Sequence, residues 1–149
     1  MEQHEPIIVS LEDGPLTPTS TTGFSGASVT FVGRTRGETH PELGTLTSLY
    51  YTAQEAIALS TMHAICKELV VAFDLKSIAL RHALSHVATG EASVEVVVQA
   101  RHRAEAFSAC AQCMNELKER VPIWKQEHFD GGTKWSNNNT SLQNGSRFS

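Results

Sequence analysis

The segment from Arg101 to Lys125, RHRAEAFSACAQCMNELKERVPIWK, constrains the fold of this 149-residue chain more than any other part. It follows a β-branched run at 92–99, and its apolar residues recur at helical spacing until Pro122. Because proline does not continue a helix interior, the pattern predicts a strand, then a helix that ends at this proline. Two arginines and a histidine precede the helix, while Lys118 and Lys125 lie at its far end and just beyond.

The charges at the two ends of this helix allow two interpretations. A helix N-terminus attracts anions through its free N–H groups and macrodipole, and Arg or Lys beside it would complete a site for phosphate or carboxylate. The same pattern is also typical of an ordinary solvated amphipathic helix with charged ends. The residues of this segment alone leave both interpretations open.

Periodicity and turn residues predict a strand-rich chain with one further helix. Strands are predicted at 6–11, 26–33, 45–51, 76–82 and 92–99, with extended segments at 123–128 and 133–135. Thr52-Ala-Gln-Glu55 fits a capping box that opens a helix ending at Phe73, and the second helix spans Arg103 to Arg120. This order predicts an α+β fold in which two helices pack on a mixed, mostly antiparallel sheet.

Composition divides the chain into one domain and a polar tail. The length and the 40% apolar content suit a single globular domain, which we assign to residues 1–135. Residues 136–149 are mainly Asn, Ser, Gly and Gln, and we expect this tail to be flexible. Residues 12–25 and 34–44 are rich in turn formers and are predicted loops, the second of them mobile.

The apolar spacing also predicts which face of each helix is buried. For the first helix the predicted buried residues are Ile57, Thr61, Ala64, Ile65, Leu69, Ala72 and Phe73. For the second helix they are Phe107, Cys110, Met114, Leu117 and Val121. We expect Phe107 and Trp124 to pack against the core rather than to stack on a ligand.

The charge balance argues against a nucleic-acid partner and draws attention to one set of cations. The formal net charge is −4 and the pI is near 5.9, whereas non-specific nucleic-acid binding needs a basic surface. A local positive cleft on such a protein can focus a small anionic ligand. The cations that could form it are Arg34, Arg36, Arg101, Arg103, Lys118 and Lys125.

The sequence favours a cytoplasmic location. We expect no apolar run long enough to span a membrane, and Met1 to Glu5 is acidic without the features of a secretory signal. The three cysteines are an odd number, which favours free thiols. Cys110-Ala-Gln-Cys113 falls within a helical pattern without a second pair at zinc spacing, so we expect structural cysteines and no metal site.

Several motifs, in order, carry a resemblance to a known family. They are Gly26 to Arg36, GASVTFVGRTR; Gly90-Glu91; His102-Arg103-x-x-Ala-Phe107; Leu117-Lys118; and Pro122-x-Trp124-Lys125-x-Glu127. Together they resemble the large, catalytic subunit of molybdopterin synthase from about Ile7 to Trp135. The resemblance implies a hammerhead-like α+β fold and a sulfurtransferase of molybdenum cofactor biosynthesis, with no cofactor of its own.

The resemblance also implies a reaction and a partner. Members of the family insert two sulfurs into cyclic pyranopterin monophosphate and so form the dithiolene of molybdopterin. The sulfur comes from a small ubiquitin-like carrier subunit that ends in a Gly-Gly thiocarboxylate. The large subunit is expected to form a homodimer with one carrier at each outer end, which makes a heterotetramer.

The family motifs map site residues onto this chain. Lys118 and Lys125 are the expected catalytic residues, the first for the chemical step and the second for holding the substrate phosphate or a developing oxyanion. The expected substrate-binding residues are Arg34, Thr35, Arg36, His102, Arg103, Gln126 and Glu127. Each also has a structural interpretation: Lys118 as a solvent-facing helix residue, and His102 as a half-buried histidine.

The chain departs from the family pattern at three places. The family's His-Arg-x-Gly is His82-Ala83-Leu84-Ser85 here; a glutamate near the third strand's aromatic is missing in Tyr50-Tyr51-Thr52; and Asn137 to Asn139 replaces a basic residue. These departures support an alternative, a non-catalytic module of the same fold that holds the carrier or an anionic ligand.

Overall fold

The computed structural model describes residues 6–20, 23 and 25–136. Residues 137–149, most of the tail that we expected to be flexible, lie outside the described residues. Ser136, the first residue assigned to that tail, is buried, and its N–H donates to the carbonyl oxygen of Lys125 at 3.1 Å. The folded part of the chain therefore reaches at least one residue beyond the expected boundary.

Eight strands and two helices make up the described chain, in the α+β arrangement expected from the sequence. The strands are β1 Ile7–Asp13, β2 Ala27–Arg34, β3 Thr39–His40, β4 Gly44–Ala53, β5 Ser77–Ala88, β6 Ala92–Ala100, β7 Ile123–Phe129 and β8 Gly132–Trp135. The helices are α1 Glu55–Phe73 and α2 Arg103–Arg120. The predicted strands and helices are all present with somewhat different ends, and β3 is an additional short strand within residues 34–44, which were predicted to be a loop.

The strands form one sheet in the order β2-β6-β5-β4-β7-β8, with β1 added beside β5 and β3 beside β4. The β1–β5 pair is parallel and the other pairs are antiparallel, which confirms the mixed, mostly antiparallel sheet. Residues 77–82 of β5 pair with β6, and residues 85–88 pair with β4. The long strand β5 therefore joins the two halves of the sheet.

The point at which β5 changes its partner strand from β6 to β4 lies where the sequence departs from the family's His-Arg-x-Gly. Ser85 has a φ of 67°, a left-handed conformation that costs a non-glycine residue energy and that glycine adopts readily. Its hydroxyl donates to Asp13 Oδ1 at 2.6 Å, which holds the bend against the end of β1. Ala83, at the arginine position, is fully buried.

The two helices pack on each other and on the sheet through faces that only partly match the prediction, which was right for Ile65, Leu69, Cys110 and Leu117. In α1 the buried residues are Ala58, Met62, Ile65, Cys66 and Leu69, and in α2 they are Ala106, Ala109, Cys110, Cys113 and Leu117. Ile57 and Phe107 were wrongly expected in the core and are 56% and 61% exposed. Small residues at the contacts let helices approach closely, and a prediction weighted towards large apolar side chains missed them.

The beginning of α1 corrects a second expectation. Gln54 is the N-cap residue and makes no side-chain capping bond, while Thr52 still belongs to β4. The capping box at Thr52 is therefore wrong. The N–H of Gln54 instead donates to the carbonyl oxygen of Pro122 at 3.3 Å, which ties the start of α1 to the chain before β7.

Helix α1 is also more apolar than the sequence analysis allowed. It has 19 residues, and an 18-residue window of it has a mean hydropathy of 1.5, so by length and composition alone it could cross a membrane. The expectation that no segment has that length is wrong. In the fold one face of α1 is part of the core, with Met62 and Ile65 fully buried.

A buried carboxylate fastens the segment after β1 to the sheet. Glu95 of β6 is 1% exposed and accepts hydrogen bonds from the Thr19 N–H at 2.6 Å and the Thr19 hydroxyl at 2.7 Å. Arg81 of β5 donates to Glu95 at 2.7 Å and makes two further bonds to Glu12. Although burial alone would raise the pKa of Glu95, the bonds from Thr19 and Arg81 leave it below its ordinary value.

Candidate active site

A cavity of about 710 Å³ opens where the end of β2, the last turns of α2 and the strands β4, β7 and β8 meet. Six of the residues expected at the site line this cavity: Arg34, Thr35, Arg36, Lys118, Lys125 and Glu127. Its volume lies in the range of pockets that enclose small organic ligands. The cavity is therefore the candidate active site.

Strand alternation explains which residues of β7 reach the cavity. Lys125 and Glu127 lie two residues apart and face it, whereas Gln126 between them faces the opposite side of the sheet. There the Gln126 side chain pairs with His128 at 2.9 Å. Gln126, which we expected to bind the substrate, therefore does not line the cavity of its own chain.

Lys125 has the most unusual environment in the cavity. It is 8% exposed, and among the described residues its ammonium group makes no ion pair or hydrogen bond. Burial lowers its pKa below the ordinary value, Glu127 and Glu38 partly oppose this, and Arg36 and Lys118 add to the lowering. Such a lysine gives up its proton more readily than one in water.

Strand β4 forms the wall of the cavity beside Lys125. Tyr51 lies directly across from Lys125 in the β4–β7 register and is 3% exposed. Burial raises the pKa of Tyr51 to about 12, despite a hydrogen bond with the side chain of Ser93. Tyr51 is therefore a neutral, fixed wall of the cavity at physiological pH.

Thr35 and Arg34 anchor the segment that presents Arg36. Thr35 is 3% exposed; its N–H donates to Glu91 O at 3.1 Å, and its carbonyl accepts from the Gly90 N–H at 2.8 Å. Arg34 donates from Nη1 to Gly90 O at 3.0 Å. The segment that we expected to be a mobile loop is thus tied to the β5–β6 turn at its start.

His102 and Arg103 do not share this cavity. They line a second concavity with Gly26, Ala27 and neighbouring residues at the other end of β2. Ala27 in this concavity and Arg34 in the first cavity are the two ends of β2, seven residue steps or about 23 Å apart. The expectation that Arg103 joins Arg36, Lys118 and Lys125 in one cleft is wrong within a single chain, and His102 is exposed rather than half-buried.

The sequence analysis missed other residues of the cavity. Glu38 and Lys134 both line it, and Lys134 lies opposite Glu127 in the β7–β8 register with 4.0 Å between Nζ and Oε1. The turn residues Asp130, Gly131 and Gly132 between the two extended segments are the signal that could have indicated a hairpin with Lys134 opposite Glu127. Nothing in the sequence signalled Glu38, because it lies in an irregular segment.

None of the three cysteines lines the cavity: Cys66 and Cys113 are hydrogen-bonded to each other between the helices, and Cys110 contacts the backbone of Phe31 in β2. Cys66, Cys110 and Cys113 are free and buried, and a hydrogen bond with Cys66 together with burial raises the pKa of Cys113. Within the described ranges no group of three His, Cys, Asp or Glu residues could hold a metal ion. The buried thiols are packed as small core side chains.

Comparison with known protein families identifies the family of this chain. The model of the MoaE protein family matches residues 11–120. The chain belongs to the MoaE family. Curated MoaE relatives named molybdopterin synthase catalytic subunit include one from Emericella nidulans, 41% identical over 115 residues, and one from Oryza sativa subsp. indica, 41% identical over 118 residues. These matches cover 76% and 79% of this chain but 58% and 60% of the relatives, so the chain spans about three fifths of their length.

Solved structures agree with this assignment at the level of the fold. The molybdopterin synthase crystal structure from Staphylococcus aureus has a TM-score of 0.76 at 23% identity and covers 91% of this chain and 99% of its own. A complex of subunits 1 and 2 of the molybdopterin-converting factor from Helicobacter pylori has a TM-score of 0.69 at 16% identity, covering 88% and 91%. The MoaE fold expected from the sequence motifs is confirmed.

Proposed function

We propose that this MoaE chain is the catalytic subunit of a molybdopterin synthase, a sulfurtransferase of molybdenum cofactor biosynthesis. The observation that carries the proposal is the convergence of Arg36, Lys118 and Lys125 in one cavity, although they come from a strand end, a helix end and a separate strand. The two expected catalytic lysines and the expected anion-binding arginine thus reach one volume.

The cavity suits the proposed substrate, cyclic pyranopterin monophosphate. Its cations can bind a phosphate, and Arg36 can do so through two parallel hydrogen bonds. Phe31, Leu46 and Met114 supply apolar wall for a heteroaromatic ring. The combination of an apolar wall and a cationic rim matches a flat, phosphorylated pterin.

The lysines have separate roles in the proposed reaction. For each of the two sulfurs, the thiocarboxylate sulfur of the carrier attacks a carbon of the precursor and displaces the oxygen bonded there, which leaves as a phosphate ester or as water. Water then cleaves the resulting thioester, which leaves sulfur on the pterin and a carboxylate on the carrier. Lys118, on the exposed side of α2, would transfer protons in this step. Lys125 would stabilise the oxyanion at the carrier's terminal carbonyl or hold the phosphate.

The proposed partners follow from the same chemistry. A small ubiquitin-like carrier with a C-terminal Gly-Gly thiocarboxylate would insert its tail into the cavity, and the two-subunit complex from Helicobacter pylori supports such a partner. A homodimer within a heterotetramer, located in the cytoplasm, is the proposed assembly. His102 and Arg103 could then act on the substrate only from a second copy, because their own cavity lies at the far end of β2.

The alternative, a non-catalytic binding module, loses part of its support. The missing arginine of the His-Arg-x-Gly pattern falls at Ala83, which is fully buried and does not line the cavity. Its absence therefore removes no cation from the cavity. The Asn-rich segment that also motivated this alternative lies outside the described residues.

A sulfuration assay separates the two functions. The chain is mixed with thiocarboxylated carrier and pyranopterin precursor, and dithiolene formation is followed in a single turnover. A catalytic subunit converts the precursor and loses this activity on Lys118→Ala or Lys125→Ala. Tight binding of carrier or precursor without conversion would establish the binding module instead.

A further inference from the structure

Two carboxylates lie among the cations of the cavity, and they differ in their surroundings. The cavity lining holds Arg34, Arg36, Lys118, Lys125 and Lys134 together with Glu38 and Glu127. Glu127 has a 13% exposed side chain and faces both Lys134 and Lys125. In the part of the chain that the structure describes, the Glu38 side chain makes no hydrogen bond and no ion pair within 4.0 Å.

A free carboxylate is unfavourable in a site that binds only an anion. It repels phosphate and weakens the field of the neighbouring cations. A carboxylate has a use there when the ligand also carries hydrogen-bond donors. The aminopyrimidinone ring of a pterin has two parallel donors, the N3–H and the 2-amino group, which match the two oxygens of one carboxylate.

We propose that Glu38 binds the N3–H and 2-amino edge of the pterin and thereby selects pterins over other planar phosphorylated ligands. This proposal rests on the proposed function and deepens it, because it names the residue that recognises the ring. Lys125 attracts both carboxylates, but Glu127 is less suited, since its side chain is only 13% exposed and it also pairs with Lys134 at 4.0 Å.

The backbone around Glu38 is fixed, which a recognition residue requires. Its carbonyl oxygen accepts the Leu46 N–H at 2.9 Å, and the next residues form β3 against β4. Three residues earlier, Thr35 is held by bonds to Gly90 and Glu91. The side chain therefore extends into the cavity from a short segment that is tied at both ends.

The experiment compares two fluorescent ligands that differ at one group. Pterin carries the 2-amino donor, whereas lumazine has a carbonyl acceptor there that would face the carboxylate. The wild type should bind pterin about tenfold or more tightly than lumazine, the ratio expected for one charge-assisted hydrogen bond. Glu38→Gln should bring the two affinities within about twofold, because an amide can donate to the lumazine carbonyl.

The control variant is Glu42→Gln, which removes the same charge from the same segment but outside the cavity lining. It should retain the preference for pterin. Binding of inorganic phosphate to each variant tests the cations separately, and Glu38→Gln should bind it as tightly as the wild type or more tightly.

The outcomes separate this proposal from the proposed function. If the wild type binds pterin and phosphate but Glu38→Gln keeps the full preference over lumazine, the role of Glu38 is wrong and the proposed function stands. A wild type that does not discriminate between pterin and lumazine also overturns the role of Glu38. If the wild type binds neither pterin nor phosphate, the proposed function fails as well.

Discussion

Replacement of Lys125 by methionine should abolish sulfur transfer and at the same time stabilise the fold. The side chain of Lys125 is 8% exposed and lacks an ion-pair partner among the described residues, so folding removes a charge from water with little compensation. Methionine keeps most of the buried chain length without the charge. Functional sites commonly retain such destabilising residues, because the activity requires them.

The size of the expected stabilisation follows from the surroundings of the Lys125 ammonium group. Replacing buried charged groups by apolar groups of similar volume stabilises proteins by up to about 1–4 kcal/mol. Glu38 and Glu127 offset part of the cost of burying Lys125, so we expect the lower end, about 1 kcal/mol. In a chain of this length that corresponds to a rise in Tm of about 2–4 °C.

The stability gained by Lys125→Met should depend on pH. Because the pKa of Lys125 is lower in the folded chain than its ordinary value of 10.5, the unfolded chain binds more protons between these two values. Wild-type stability therefore rises with pH across that window, and below it the full cost of the buried charge is present. Methionine does not titrate, so the advantage of Lys125→Met should be largest at neutral pH and shrink as the pH approaches 10.5.

Urea unfolding of the purified chain at neutral and alkaline pH measures this difference. Lys118→Met is the matched control: it removes the same charge from the same cavity, but at an exposed position on α2, and should change stability little. A Lys125→Met chain that is less stable than the wild type at neutral pH, or whose gain does not shrink with rising pH, would refute the reasoning.

Three further outcomes can be checked. Lys118→Ala should slow single-turnover sulfur transfer by about 10²-fold or more while the affinity for the carrier, measured by calorimetry, changes little, because docking spreads over a large surface. Replacing Cys110 and Cys113 by alanine should keep transfer within a few-fold of wild type and lower stability in urea by about 1 kcal/mol or more. Glu95→Gln should destabilise the fold by several kcal/mol by leaving Arg81 without its buried partner, and should flatten the loss of stability that the wild type shows as the pH falls through the lowered pKa of Glu95.

Local patterns were sufficient for the elements and for the α2 end of the site. Alternation, helical spacing and Pro122 predicted both helices and the strands on either side of α2, because these signals act within a few residues. They also placed Lys118 and Lys125 at the end of α2 and on the following strand. The α+β class followed from the order of elements.

Long-range pairing explains what local patterns could not predict. The separation of Arg103 from Lys118 is an exception, because the two residues are fifteen positions apart in α2, about 22 Å along the helix axis, and the sequence analysis overlooked this local constraint. Glu38 reaches the cavity only because its backbone is tied to β4. The bend at Ser85 likewise reflects the change of partner strand along β5 rather than a property of its neighbours in sequence.

The pairing of β4 with β7, which sets Tyr51 opposite Lys125, has a consequence for how the molecule folds. Contacts between segments so distant in sequence close late and slowly, on the scale of milliseconds to seconds. Until β7 arrives, the edge of β4 stays open to strands of other chains, and the cavity lacks one of its walls. A ligand of the cavity would therefore bind only molecules in which β4 and β7 have paired, and its binding rate after dilution from urea would time the formation of that pair.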